Sequence, residues 1–388
     1  MEHFKIQSGA KYSLFNMQER CDISSLLLTK FLKFLQRNNY KELYNHYNLT
    51  NIDPDFYIIN SCCVAGSHME DISNLIKQLK EKTIINQKPI ILFGCFTGIE
   101  LHGTENIIKF ASKNIVNADK IFEHKISINN IKSYSTDSRL FHNYQTYSHP
   151  NQERILISQG CNYFCTYCNI KNSKGGTRSR SFDEIELEVK EICSAHGKDI
   201  ELYLISDDCG SYGTDINTNI IELLDLLLGI NDQLTVAVHY LYPQVLVQHK
   251  DDFLRLVESK RINYICIPLQ SGSQRILDIM KREYTIGTVC DIIKNIRTLH
   301  PDIWLYNHIL FSFNTETLSD LMKSLNVCRL FDETNYIEYQ ETPTAPARKL
   351  EGALDDLQKM KRKEMVDKCL SNNGPIIDSG FGVSAFSS

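Results

Sequence analysis

The run Ile157-Ser158-Gln159-Gly160-Cys161-Asn162-Tyr163-Phe164-Cys165-Thr166-Tyr167-Cys168 decides how this chain is read. Three thiolates on one short loop suit a cubane of four irons and four sulfides, and they ligate only three of those irons. The fourth iron stays open to a small molecule that brings its own amino and carboxylate donors. A zinc site wants a fourth Cys or His at matching spacing, and the next cysteine, Cys193, falls in a helical pattern. The chain holds 13 cysteines in 388 residues, so close pairs also arise by chance. The aromatic Tyr167 ahead of the third cysteine, and the residues that follow, favour the cluster.

Downstream of this loop the sequence repeats one pattern. Candidate strands at 154–158, 200–206, 234–239, 263–269, 303–311 and 335–339 are each followed by helical spacing. Ile185, Val189, Ile192 and Cys193 mark one helix; Ile286, Val289, Ile293 and Ile296 mark another. Six βα units predict an incomplete α/β barrel over 153–350, with its site at the strand carboxyl ends. Beyond it, 351–388 reads as a charged helix and a Gly- and Ser-rich, loosely ordered tail from Asn372. Upstream, a polar linker spans 132–152. Before that, 1–131 reads as a small α/β domain. The apolar runs Phe56–Asn60 and Pro89–Gly94 flank a helix marked by Ile72, Leu75, Ile76 and Leu79. Cys62 and Cys95 fall just past two strand ends, the edge where parallel sheets collect ligands.

The bulk numbers exclude little else. Lys+Arg total 42 against 47 Asp+Glu, a net charge of −5, so nothing global calls for a polyanionic partner. The first residues lack the charged flank and apolar run of a signal peptide, and no stretch is long enough to span a membrane. An odd number of cysteines, several in apolar segments, fits a reducing, cytoplasmic setting.

The motifs together resemble the radical S-adenosylmethionine (SAM) methylthiotransferase family. Those that carry the resemblance are Ile157–Cys161, Cys165–Cys168, Gly175, Arg178-Ser179-Arg180, Asp183-Glu184, Tyr212-Gly213 with Asp215, and Gln270-Ser271-Gly272-Ser273. Met280-Lys281-Arg282, Tyr284-Thr285, Glu316-Thr317, and Tyr339 with Pro343 and Ala347 extend it over about residues 10–350. The resemblance implies a flavodoxin-like amino-terminal domain followed by a partial (βα)6 radical SAM barrel. It implies two [4Fe-4S] clusters, SAM, and an electron donor such as flavodoxin or ferredoxin. The activity it implies replaces a C–H bond by a C–S bond: one SAM yields the deoxyadenosyl radical, a second the methyl group.

For the radical SAM cluster it implies Cys161, Cys165 and Cys168 as ligands. For the auxiliary cluster, Asn60-Ser61-Cys62 and Gly94-Cys95 are similar to the family's ligand motifs. Aligning Asp22-Ile23-Ser24-Ser25 with the family's acidic-serine turn leaves Asn16 where the first cysteine stands. Asn is a neutral, hard donor where a soft thiolate is wanted. Cys21 or Cys63 is the substitute, and each is equally read as a bystander. Two buried cysteines ending two strands is the plain alternative for Cys62 and Cys95.

Around bound SAM, Gln270, Ser271 and Ser273 are expected at the end of the fourth strand, where Ser273 equally caps a helix. Ser206 and Asp208 are expected to receive the methionine ammonium, or else to form a solvated turn. Arg178 and Arg180 are expected at the SAM carboxylate or an anionic substrate, or paired with Asp183 or Glu184. Tyr240-Leu241-Tyr242-Pro243 is similar to the form in members that modify a ribosomal protein. His308, in a run that departs from the family's pattern, reads first as a satisfied core residue. Thr342 and Thr344-Ala345 also depart. The expected carboxyl-terminal β-barrel (TRAM) module has no counterpart after residue 350, and RNA binding lacks its basic footprint. The sequence therefore favours a peptide, protein or small biosynthetic intermediate as substrate. A tRNA adenosine is the alternative, and a non-catalytic Fe–S or SAM-binding homologue the third reading.

Overall fold

The computed structural model describes residues 5–17, 21–43, 53–61, 66–83, 88–95, 107–132, 147–197, 199–342 and 344–371. Cys62, Cys63, Pro343, most of the expected linker and the tail from Asn372 lie outside them. The described residues group into two compact units, one up to residue 132 and one from residue 147, apart from Asn172–Lys174, Thr342 and Thr344, which group with the first.

In the first unit, β1 (Lys11–Asn16), α1 (Asp22–Arg37), β2 (Lys41–Glu42), β3 (Phe56–Ser61), α2 (Gly66–Thr83), β4 (Ile90–Gly94), β5 (Ile107–Ala111) and α3 (Ala118–Ile121) follow in turn. The strands are all parallel in the order β2-β1-β3-β4-β5, the flavodoxin-like order. β3 and β4 are buried along their whole length, as apolar strands covered on both faces must be. Phe31 of α1 stacks on Phe93 at 5.3 Å and meets Phe110 and Phe122 edge-on at 5.0 and 5.5 Å. Strand order reverses between β1 and β3, so their carboxyl ends, Asn16 and Ser61, flank the switch-point crevice.

The second unit opens with β6 (Gln152–Leu156), β7 (Ser158–Gln159), α4 (Ile170–Lys174), β8 (Arg178–Ser179), α5 (Phe182–His196) and β9 (Glu201–Ile205). It continues through α6 (Ile220–Ile230), β10 (Thr235–Val238), α7 (Pro243–Gln248), α8 (Lys250–Glu258), β11 (Ile262–Cys266), α9 (Gln274–Ile279) and α10 (Ile286–Leu299). β12 (Trp304–Phe311), α11 (Leu318–Val327), β13 (Glu333–Glu338) and α12 (Asp356–Ser371) complete it. Six parallel strands lie in chain order from β6 to β13, an open (βα)6 sheet. All six expected strands are present at nearly the expected bounds.

The fourth strand stops at Cys266 rather than 269 because Pro268 has no N–H to give the ladder. Pairing resumes as a single bridge between Gln270 and Ile309. Capping boxes open α5, through Ser181 and Glu184, and α11, through Thr317 and Asp320. The expected helix after 350 starts at Asp356 and is tied to the barrel by buried Arg362, whose Nε lies 3.1 Å from Glu316.

Candidate active site

The cysteine loop leaves β7 through Gly160, whose φ of +84° and close neighbours admit no side chain: an added Cβ would meet the Gly176 carbonyl at 2.3 Å. Asp207 accepts from the Gly160 N–H at 2.8 Å, and the Cys161 N–H donates to Gly175 O at 3.3 Å. The middle of the loop is pinned at Thr166. Its N–H and hydroxyl donate to Met280 O and Ile279 O, and its carbonyl accepts from the Ala347 N–H at 2.7 Å. Cys168 closes a turn onto Cys165 O, and its Sγ accepts from the Ile170 N–H at 3.4 Å. Tyr163 stacks on Tyr242 with centroids 3.6 Å apart, while Phe164 stands exposed under the Lys171 ammonium.

Burial, then the neighbouring Cys165, pushes the Cys168 thiol up to about 12. Burial and the Asp208 carboxylate raise Cys161 as well. Soft donors such as Cys161 and Cys168, whose ionisation is opposed by burial and by neighbouring charge, fit a cationic iron–sulfur core, which removes that opposition. Among the described residues no three His, Cys, Asp or Glu side chains stand converged as an ion site. Convergence of ligands is coupled to binding of the ion.

The other expected site residues separate into two groups. Gln270, at φ +68°, is buried, and among the described residues its side-chain carbonyl has no hydrogen-bond partner. A polar ligand is what such a group lacks. The neighbouring serines are committed elsewhere: Ser271 Oγ lies 3.2 Å from Ser324 Oγ, and Ser273 Oγ donates to Asp320 at 2.6 Å, both on α11. Ser206 Oγ is 2.6 Å from Ser158 Oγ. Asp208 accepts from Ser211 Oγ and from the Gly210 and Tyr242 N–H groups. Arg180 bonds Leu156 O and pairs with Glu188 at 2.6 Å rather than with Asp183. Arg178 is exposed on β8.

Two residues carry more than their sequence suggested. Buried His308 packs between Tyr240 and Tyr306, with ring centroids at 5.5 and 5.1 Å. Among the described residues its Nε2 has no hydrogen-bond partner, unlike the satisfied core residue expected, and burial lowers its pKa to about 4. Arg282 is 5 % exposed, and its Nη1 lies 3.7 Å from Cys165 Sγ and 3.2 Å from the Tyr167 hydroxyl. Met280-Lys281-Arg282 counts in the sequence only as part of the family resemblance, and no role is expected of Arg282 itself.

In the amino-terminal unit Cys95 directly follows β4, its N–H donating to Ser61 O at 3.1 Å. Asn16 ends β1, and its side-chain carbonyl accepts from Asn60 Nδ2 at 2.8 Å. Asn60 Oδ1 in turn accepts from Ser24 Oγ at 2.9 Å. Cys21 is the N-cap of α1 and makes no side-chain cap bond. The remaining expected ligand, Cys62, lies outside the described residues.

Residues 155–328 match the Radical SAM superfamily. The chain is 28 % identical over 338 residues to the ribosomal protein uS12 methylthiotransferase RimO of Clostridium botulinum, covering 82 % of this chain and 75 % of the relative. It is 29 % identical over 336 residues to a probable threonylcarbamoyladenosine tRNA methylthiotransferase of Archaeoglobus fulgidus, covering 83 % and 77 %. In fold it is similar to the radical SAM methyltransferase TsrM of Kitasatospora setae, with a TM-score of 0.56 at 12 % identity over 87 % of this chain and 75 % of that one. No helix among the described residues is long and apolar enough to cross a membrane. With its cysteine loop set at the carboxyl ends of an open (βα)6 sheet, the chain carries a radical SAM domain at residues 155–328 and is a radical SAM enzyme related to the methylthiotransferases.

Proposed function

We propose that Cys161, Cys165 and Cys168 hold a [4Fe-4S] cluster and that the chain forms a C–S bond on a peptide, protein or small biosynthetic intermediate. The observation that carries the reading is a three-thiol loop pinned at Thr166 over the mouth of a barrel whose interior offers unpartnered polar atoms. Bound there with SAM, the cluster supplies the single electron that releases a deoxyadenosyl radical. Gln270 is the residue placed to bond SAM or substrate, because its buried carbonyl needs a donor. The paired serines Ser271 and Ser273 hold the Gln270 turn against α11, and Ser206 and Asp208 shape the turn beneath the loop. Arg178 is left to meet an anionic group.

The amino-terminal unit is proposed to carry the auxiliary cluster on Cys62 and Cys95, with Cys21 as third ligand. Asn16 is already bonded to Asn60. The net charge of −5 favours a substrate other than RNA. A tRNA adenosine remains the second reading, since relatives such as that of Archaeoglobus fulgidus are named for tRNA.

The test is anaerobic reconstitution with iron and sulfide, reduction, and assay for deoxyadenosine from SAM. Candidate peptides and tRNA are then compared for the mass gain of a methylthio group. Failure to form deoxyadenosine with a loaded cluster sinks the enzymatic reading; methylthiolation of tRNA alone replaces the favoured substrate.

A further inference from the structure

We infer that Arg282 is a positioning residue that sets the reduction potential of the cluster held by Cys161, Cys165 and Cys168. The inference rests on that assignment of the three cysteines.

Arg282 is buried, and a guanidinium stays charged wherever it is placed. The buried Asp208 carboxylate feels its charge, though among the described residues no carboxylate forms a salt bridge with it. Its Nη1 donates to Cys165 Sγ at 3.7 Å and to the Tyr167 hydroxyl at 3.2 Å, and its Nη2 to the Pro268 carbonyl. Among the described residues Nε has no hydrogen-bond partner. The rings of Tyr242 and Tyr284 lie 4.3 and 5.3 Å from the guanidinium carbon, within cation–π range. Both rings are held in turn: the Tyr242 hydroxyl accepts from the Glu283 N–H, and the Tyr284 hydroxyl donates to Leu269 O at 2.5 Å. Beyond the more distant Asp208, a buried cation bonded to a thiol within a tyrosine cage finds counter-charge in whatever that thiol joins.

Three thiolates on a four-iron core leave the oxidised assembly anionic, and reduction adds one further negative charge. That electron comes from a low-potential one-electron donor. No proton moves and no bond at Arg282 changes. A fixed positive charge at the Cys165 sulfur favours the more negative, reduced form, and burial keeps water from screening it. Tyr167, the aromatic within the cysteine motif, therefore has a second use: its hydroxyl aims the guanidinium at the sulfur.

The experiment is a redox titration followed by electron paramagnetic resonance, without SAM, in a Cys62→Ala/Cys95→Ala background so that one cluster reports. Titanium(III) citrate serves as the reductant. Arg282→Gln should lower the ratio of reduced to oxidised cluster about tenfold at a fixed poise, a midpoint about 59 mV lower. Arg282→Lys, which keeps the charge and loses the fork, should stay near the parent value. Arg282→Met provides a second neutral variant should Gln fail to fold. Equal midpoints for parent, neutral and Lys proteins would overturn the inference. A parent protein that binds no cluster would instead overturn the assignment of the cysteines.

Discussion

The cysteine loop of the barrel and the carboxyl edge of the amino-terminal sheet are both places where three ligands are expected, and they are built in opposite ways. In the barrel, Cys161, Cys165 and Cys168 share one loop, and the fold needs only to hold that loop at Thr166 and Gly160. At the sheet edge the expected ligands come from separate segments: Cys95 after β4, Cys62 after β3, and Cys21 opening α1. The position ending β1 is filled instead by Asn16, bonded to Asn60. Ligands on one loop depend on local spacing. Ligands spread across a sheet depend on several strand ends at once, and one replaced residue there changes the donor count.

The largest effect tests the first half of that contrast. Replacing Cys161, Cys165 and Cys168 together by Ala should abolish deoxyadenosine formation and remove about half of the bound iron, the remainder being the auxiliary cluster. Loss of all iron in that variant would mean the sheet edge holds no cluster, and the comparison would collapse to one site.

A gain of function sharpens the second half. Asn16→Cys adds a thiolate at the end of β1 and should slow loss of auxiliary iron to a chelator, whereas Cys21→Ala should hasten it while deoxyadenosine formation survives. Unchanged iron retention in both variants would leave the third ligand elsewhere, Cys63 included.

Within the barrel the same contrast recurs between unsatisfied and satisfied groups. His308 titrates in the unfolded chain near its ordinary 6.5 but in the fold only near about 4. The unfolded chain thus binds more protons between those values, and stability is present above pH 6.5 and lost as pH falls toward 4. From pH 6.5 to 5 the loss should be about 2 kcal/mol. Urea titrations of His308→Gln should show a flatter profile over that window. Buried His239, shifted the same way, leaves some slope behind.

The smallest effects separate Gln270 from its serines. Ser273→Ala removes the bond to Asp320 and should cost about 1–2 kcal/mol of stability with SAM affinity little changed. Gln270→Ala should do the reverse, weakening SAM binding measured by calorimetry. Identical behaviour of the two variants would erase the division drawn between them.

Much of the fold was legible because its strands are apolar, short and evenly spaced. β3, β4 and the barrel strands from β9 to β12 lie mostly buried, so their hydrophobic runs stand out. β1 and β5 did not stand out. Lys11–Asn16 mixes polar and aromatic residues, and Ile107–Ala111 carries Lys109 in an edge strand half open to solvent. At the site, the cysteines were readable and the roles of Ser271, Ser273 and Arg180 were not. A hydroxyl or guanidinium near a ligand-binding edge has the same sequence pattern whether it turns inward or toward a helix.

What the sequence determined by itself is the part of the chemistry that is contiguous in the chain: three thiolates within eight residues, and βα units whose periodicity dictates a parallel sheet. Tertiary structure alone decided that Arg282, 117 residues from Cys165, lies against its sulfur, and that Asn16 and Asn60, 44 residues apart, bond each other. The physical reason is range. Ligand spacing on a loop and strand periodicity are short-range properties of the backbone, whereas a buried cation beside a thiol exists only once distant segments have packed and water has left.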